Sequence, residues 1–461
     1  MKKILLFIGA LLFSTLFYDK SIGLNLFLFS LVTIVVLFAN NKEDFKSKRT
    51  LLYSSLYLAT GLAVFFHDSL LSIIANFVAF FTLIGLLSEH KSSIYVNWLN
   101  GFYTTIAGWF HRNFSLNETT QAVEPKRDID YAHWAKLIFV PAVIVILFIL
   151  LYQNGNPVFN NLIDKIDFSF INLQWLLLAG LGYYLLSNIH KPIEVEPATE
   201  LDLQTGNTLE KTNKFSIPKL KQENQLGNIL ISLLNILIVI FLITDITFIL
   251  TNMDIRASLF SSQVHSGINA LIASIVIAII ILLYVFRGDL NFYKENSTLK
   301  RLAFTWIMLN VMLVLTIAIK NGQYIYYFGL TYKRIGVLVY LTLAVTGLIT
   351  TLVKIDKIKN IWYLLRLNTK AAFVVLVVAS MVNWDYHITN YNFNYAKSMD
   401  FNYLIELSNN NTLLLKEKID NIPMGSDSIQ KIEEKYNRYV YELSTNSWQE
   451  LQYDNLKIDT K

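Results

Sequence analysis

The sequence contains no cysteine, which excludes disulfides, thiol nucleophiles and cysteine-based metal or iron–sulfur centres. Proline is scarce, with 7 residues, and glycine numbers 18. A membrane protein so composed has few of the broken helices that transporters place at binding sites. The shortage of charge says most. Asp, Glu, Lys and Arg make up 16% of the chain, against about 25% in an average soluble protein, and charge is what a bilayer excludes. His-Glu-x-x-His, Gly-x-Ser-x-Gly and Gly-rich phosphate loops are all missing. Acyl transfer and nucleotide hydrolysis therefore have no positive support.

What is present is apolar. Hydrophobic residues form 54% of the 461, and the mean hydropathy is +0.43. Span-sized apolar runs fall near 4–18, 22–39, 51–66, 70–87, 138–152, 171–189, 227–250, 268–286, 302–319, 335–353 and 371–383. Met1-Lys2-Lys3 and the run to Phe17 have the outline of a signal peptide. No small-x-small cleavage site follows and a second apolar run begins at once, so this is read as the first span. In hydrocarbon only helices and closed barrels satisfy their backbones, and the alternation of barrel strands is missing. The expectation is an all-α polytopic transmembrane bundle of about 11 spans with a small helical, soluble C-terminal tail.

The chain divides accordingly. N-terminal hairpins occupy 1–87, a cytoplasmic or interfacial segment 88–137, a hairpin 138–189, a flexible linker 190–226, the transmembrane core 227–383 and the tail 384–461. Within 97–112, Trp98, Phe102, Ile106, Trp109 and Phe110 share a helical face, either lying in the membrane interface or packed on cytoplasmic neighbours. In the tail, Ile429, Ile432, Tyr436, Tyr439, Val440 and Leu443 mark an amphipathic helix.

Orientation follows from the loops. Lys42, Lys46, Lys48, Arg49, Lys91, Arg112, Lys191, Lys211, Arg287, Lys294, Lys354, Lys357, Arg366 and Lys370 all fall in alternate loops, on the side of Lys2 and Lys3. The net charge of +5 reflects this asymmetry. The positive-inside rule puts the N-terminus in the cytoplasm and the tail outside. Lys320, Lys333 and Arg334 are bases on the wrong side.

Ionisable and amide groups within spans invite functional readings. Asp245, Asn235 and Asn310 would line a polar track, or else join helices by hydrogen bonds. The stretch 320–334 gathers Tyr324, Tyr327, Lys333 and Arg334, suited to an aromatic belt and to lipid phosphates or other anions, or simply a turn. Arg366 sits in a second aromatic–basic cluster, 360–368. The histidines His67, His90, His111, His133, His190, His265 and His387 show no metal-ligand spacing. A site assembled from distant outer loops around His67, His265 and His387 stays open.

Several of these elements together resemble known families. They are VHSG (264–267), FRGDLNFY (286–293), FGLTYKRIGV (328–337), WYLLRLN (362–368) and DFNYLIELS (400–408). The stretch 225–410 is similar to the bacterial multi-pass membrane families of domains of unknown function numbered 4153 and 4173. That resemblance implies a polytopic inner-membrane protein, with the tail part of the fold, and supplies no activity. Phe328 stands where the family pattern has Tyr, which weakens any role for a hydroxyl there.

The expected function is a non-enzymatic membrane domain of transport or scaffold/sensor type. The alternative is a membrane-embedded enzyme acting on lipid-linked or envelope substrates at the outer face, using His265 and the 320–334 cluster. No catalytic residue, metal or cofactor is assigned. The expected partners are the lipid bilayer and, through the tail, membrane or envelope proteins; nucleic acid is not implied.

Overall fold

The computed structural model describes residues 2–119, 172–212, 216–251, 257–419 and 426–458, with isolated positions between 137 and 159. Side chains at 2, 114–119, 257–266 and 426 are excepted. The elements are α-helical, with no strand among the described residues beyond one isolated bridge, Thr208 to Lys359. The first helices are α1 (Lys2–Phe17), α2 (Leu24–Asn40), α3 (Lys48–Phe66), α4 (Leu70–Ser88), α5 (Ile94–Thr119), α6 (Leu173–Ile189) and α7 (Glu196–Gln204). The long helices α8 (Ile217–Thr251), α9 (Ala257–Val285), α10 (Ser297–Phe328), α11 (Tyr332–Asp356) and α12 (Ile361–Ser380) follow. The tail holds α13 (Trp384–Tyr395), α14 (Phe401–Glu406), α15 (Thr412–Ile419) and α16 (Ser426–Thr445).

Among the described residues, seven helices are long and apolar enough to cross a membrane: α3, α4, α8, Gly267–Val285 of α9, α10, α11 and α12. Lys3–Phe17, Leu24–Asn40 and Leu173–Ile189 are apolar but shorter. The expected span 138–152 falls largely outside the described residues. Two expected boundaries move. The run 371–383 belongs to α12, which starts at Ile361 and so takes Arg366 into a helix. The run 302–319 extends to Phe328, so Lys320 and Tyr324 lie on a helix rather than in a loop.

The bundle is apolar outside as well as in its cores, and its polar groups are turned inward. On α8, Leu226, Leu233, Leu237 and Ile243 are exposed, while Asn224, Asn235 and Asp245 are buried. On α4, Ile74 and Phe77 face out, while Asn76 is buried and donates to Tyr57 O at 3.1 Å and Thr60 Oγ1 at 3.2 Å. In water this arrangement would forfeit the hydrophobic gain; in lipid it is the only economical one. The exterior belongs in a membrane.

Two cores result. Helices α1–α4 and α6 pack into one, which also takes Phe373 and Val377 from α12. Helices α8–α11 form the second, around Ile231, Ile275, Leu299, Ile317 and Leu348. Helix α12 touches α11 as well as α3, α4 and α5, and so joins the two. The expected core 227–383 is therefore divided at its last helix.

Helix α5 does present Phe102, Ile106, Trp109 and Phe110 outward. Its polar face is buried: Asn97, Asn100 and Thr104 are wholly covered. It runs back along α4 in backbone contact. A Cβ on Gly85 would stand 1.9 Å from Asn97 O, and one on Gly101 2.0 Å from Phe81 O. Small residues permit such approach between membrane helices.

That polar face corrects the linker reading of 190–226. Asn100 accepts from Val195 N at 2.9 Å and donates to Thr199 Oγ1 at 3.0 Å, and Thr104 Oγ1 accepts from Ile193 N at 3.0 Å. Helix α7, with Pro197 in its first turn, follows directly. Its polar residues are bonded rather than solvated, which composition does not distinguish.

The loops sort to two ends. At one, Asn41 donates to His190 O at 3.2 Å, Asp44 bonds His90 at 2.8 Å and Thr212 N donates to Asp289 at 2.8 Å. This is the end rich in base. At the other, the tail closes over the turns. Leu24 N and Asn25 N donate to the carbonyls of Leu451 and Gln449 at 2.9 and 2.8 Å. Asn410 donates to Asp68 O at 3.0 Å, and Tyr453 packs on Phe66. A third core joins Ile388, Leu404, Leu415, Ile419 and Ile432 to Ile335 of α11. On α16, Ile432, Tyr439 and Leu443 are buried as expected. Lys435 is buried with them, donating to Ile405 O, Leu407 O, Ser408 O and Asn411 Oδ1 at 2.7–3.0 Å. Burial pulls its ammonium down to about 8.

Glu450 fastens the tail to the α1–α2 turn, accepting from Ser21 N and Oγ at 2.9 Å and from Ser447 Oγ at 2.6 Å. Burial opposes its charge, yet these donors prevail and hold its carboxyl at about 2, below the ordinary 4.5. The folded form thus binds fewer protons than the unfolded one. The stabilisation is complete above about pH 4.5 and is lost as pH falls through about 2. The unfolding midpoint of Glu450→Gln should lie below wild type by a constant amount at neutral pH. That gap should close between pH 4.5 and 2; a gap independent of pH would refute this account.

Candidate functional site

The residues singled out within the spans do not converge on one track. Asn310 donates to Trp306 O on its own helix, at 2.8 Å. Asn235 bridges α8 to α10, donating to Leu302 O at 3.0 Å. Asp245 forms a buried ion pair with Lys320 of α10, with Phe248 beside the ammonium. Asn235 and Asp245 thus join helices, while Asn310 only back-bonds within its own. Lys320, a base on the wrong side by sequence, is accounted for by its acid.

Arg366 lies far off, at the basic end. Its guanidinium donates to Ser93 Oγ at 3.0 Å, Asp202 Oδ1 at 2.9 Å, Thr205 O at 2.8 Å and Asn207 Oδ1 at 2.6 Å. Asp202 also accepts from Ser93 N and Tyr95 Oη, both at 2.7 Å. Burial works against its charge, but the Tyr95, Ser93 and Arg366 donors hold the carboxyl below the usual range. This clamp ties α12 to α5 and α7. Asp202 was not found from sequence, since nothing in a polar stretch marks which acid meets a base 164 residues on.

The 320–334 cluster is where side chains gather around a space. Gly329 ends α10 at φ 81°, and a Cβ there would meet Asn392 Oδ1 at 2.4 Å. Asn392 grips the next residue, accepting from Leu330 N at 2.5 Å and donating to Leu330 O at 3.0 Å. Thr331 caps α11, and Tyr332 Oη donates to Asp385 at 2.7 Å. Arg334 then folds back beneath the turn. Its Nη1 donates to Phe328 O at 2.8 Å and to Gly329 O, the free carbonyls at the end of α10. Its guanidinium lies 4.1 Å from the centre of the Tyr324 ring. Nε is buried without a partner.

A cavity of about 420 Å³ opens beside it between α9, α10 and α11. Asn269, Asn321, Tyr324, Lys333, Arg334 and Tyr340 line it. Of the expected cluster, Tyr324, Lys333 and Arg334 meet here. Tyr327 instead faces Lys397, whose ammonium is 4.7 Å from its ring centre. The side chain of His265 lies outside those described. Among the described residues no group of three or more His, Asp or Glu has the geometry to hold a metal.

Removing one member of the Asp245–Lys320 pair strands the other charge in an apolar surround, at a cost of about 3–5 kcal/mol for a well-buried pair. Asp245→Leu and Lys320→Met should each lower thermal stability in detergent sharply. The double variant Asp245→Leu/Lys320→Met should recover most of the loss. Additive losses in that cycle would show that the two do not act as a pair.

No curated protein and no solved structure matched the chain. A domain of unknown function (DUF4153) matches residues 4–417. The match begins in α1, well before the 225–410 stretch that carries the recognisable elements, and it ends in the tail at α15. Since it runs through both helix cores and into the tail, the chain belongs to the DUF4153 family.

Proposed function

We propose that this chain is a non-enzymatic scaffold or sensor of a bacterial cytoplasmic membrane, with its N-terminus inside and its tail presented outside to membrane or envelope proteins. Kinship with the family numbered 4173 belongs to the same reading. The observation that carries it is the fate of the polar groups. Asp245 pairs with Lys320, Asn235 bonds across to α10 and Asn310 bonds within its own helix, so these groups do not converge on one track among the described residues. The same end of the bundle is closed by a tail fixed through backbone hydrogen bonds and the caged Lys435. Tyr441, Trp448 and Leu456 stay exposed on that tail. Large exposed apolar groups on an otherwise polar surface mark contact with a partner or a lipid surface. An enzyme built on His265, Tyr327 and Arg334 is not favoured, since Tyr327 and Arg334 face different neighbours.

The absence of native cysteine makes topology directly measurable. Tyr441→Cys should react with a membrane-impermeant maleimide on intact cells, and Lys42→Cys only after permeabilisation. Photo-crosslinking groups at Tyr441 and Trp448 should capture envelope or membrane proteins. The reverse labelling pattern would overturn the orientation, and an ion or solute flux in vesicles abolished by Asp245→Asn would overturn the scaffold reading.

A further inference from the structure

Arg334 is a cation of the 320–334 cluster that is buried with no acid paired to it among the described residues. It keeps 8% of its surface, and neither it nor Lys333 enters any ion pair among the described residues. The contrast with Lys320, one helix-end away and paired with Asp245, is direct. A buried charge without a counter-charge is costly. The Tyr324 ring and two carbonyls offset part of that cost, while Nε stays unbonded. The N-terminus of the 25-residue α11 adds positive potential at the same place.

The surroundings define the ligand. The cavity is lined on its apolar side by Ile268, Ile272 and Val337. Two of the helices that form the cavity, α10 and α11, expose the apolar side chains of Ile319 and Leu338. Tyr326 and Tyr332 are exposed at this level, and exposed tyrosines of this kind mark the headgroup zone. Lys333 is exposed at the cavity rim. We propose that this cavity binds the phosphodiester headgroup of an anionic phospholipid. Arg334 and Lys333 oppose the phosphate, Asn321 and Tyr340 flank it, and the acyl chains run down the apolar faces of α9 and α11. A guanidinium and an ammonium side by side suit one phosphate, the first as a planar donor and the second as a mobile point charge.

The test uses the full-length protein in detergent, titrated with phosphatidylglycerol, phosphatidylcholine or inorganic phosphate. Retained lipid is read by native mass spectrometry and the shift by thermal unfolding. Phosphatidylglycerol should bind and raise the midpoint, and phosphatidylcholine should not. Lys333→Glu, a change at an exposed position, should weaken phosphatidylglycerol about tenfold or more. Arg334→Lys should weaken it while preserving the charge. Lys42→Glu at the opposite end should leave it unchanged. Equal retention of the two lipids, an unaltered affinity in Lys333→Glu, or an equal loss in Lys42→Glu would overturn the proposal. Stabilisation by inorganic phosphate without phosphatidylglycerol binding would overturn the lipid assignment.

Discussion

An amide or a charge turned toward hydrocarbon has nothing to bond with, and that constraint orients α4, α5, α8 and α10 of this bundle. In water the hydrophobic effect decides which face of a helix is covered. In lipid the apolar faces have no preference between neighbours and solvent, so the polar positions decide. Asn76 fixes α4 against α3, Asn235 fixes α8 against α10, and the Asp245–Lys320 pair fixes the same two helices nearer the tail. The polar stripe of α5 accepts the segment 193–199 for the same reason. These contacts are few, but each has no alternative partner in the membrane, and they determine which helix lies beside which.

The two helix cores are then made one protein at their ends. At the basic end the Arg366 guanidinium links α12 to α5 and α7 through a single acid, Asp202. At the other end the tail reaches the α1–α2 turn through Glu450 and Gln449, the α3–α4 turn through Asn410, and the α10–α11 turn through Asn392. Helix α12 runs between the two. The tail is thereby bonded to turns belonging to both cores, an arrangement that suits the sensor reading proposed above.

Much of the architecture was legible because it rests on composition and period. The all-helical fold, the alternation of basic and base-poor loops and the amphipathic α16 all follow from residue types at fixed spacing. What was not legible depended on pairing. Arg366 stands out in its aromatic–basic cluster, but Asp202 looks like an ordinary loop charge until the fold brings the two together. The segment 190–226 reads as a linker because its few apolar residues cannot build a core, yet the polar atoms of 193–199 bond to Asn100 and Thr104 on a helix face. The α10 boundary was misplaced because Lys320 was counted as a loop residue, when the acid that admits it to the helix interior was Asp245, already noted. Lys435, a charged residue of an amphipathic helix, is buried because the carbonyls of 405–408 and Asn411 Oδ1 accept from it.

Those cases suggest how to read a basic residue on the wrong side of a membrane protein. The positive-inside rule disfavours Lys320, Lys333 and Arg334 alike, so each needs its own compensation. For Lys320 the chain supplies a carboxylate on a neighbouring helix. For Arg334 it supplies the carbonyl end of α10 and an aromatic face, which are dipoles and a quadrupole rather than a charge. Lys333, exposed beside it, enters no ion pair among the described residues either. Two cations beside an open cavity, with no acid paired to them among the described residues, are what the proposed phospholipid headgroup would answer.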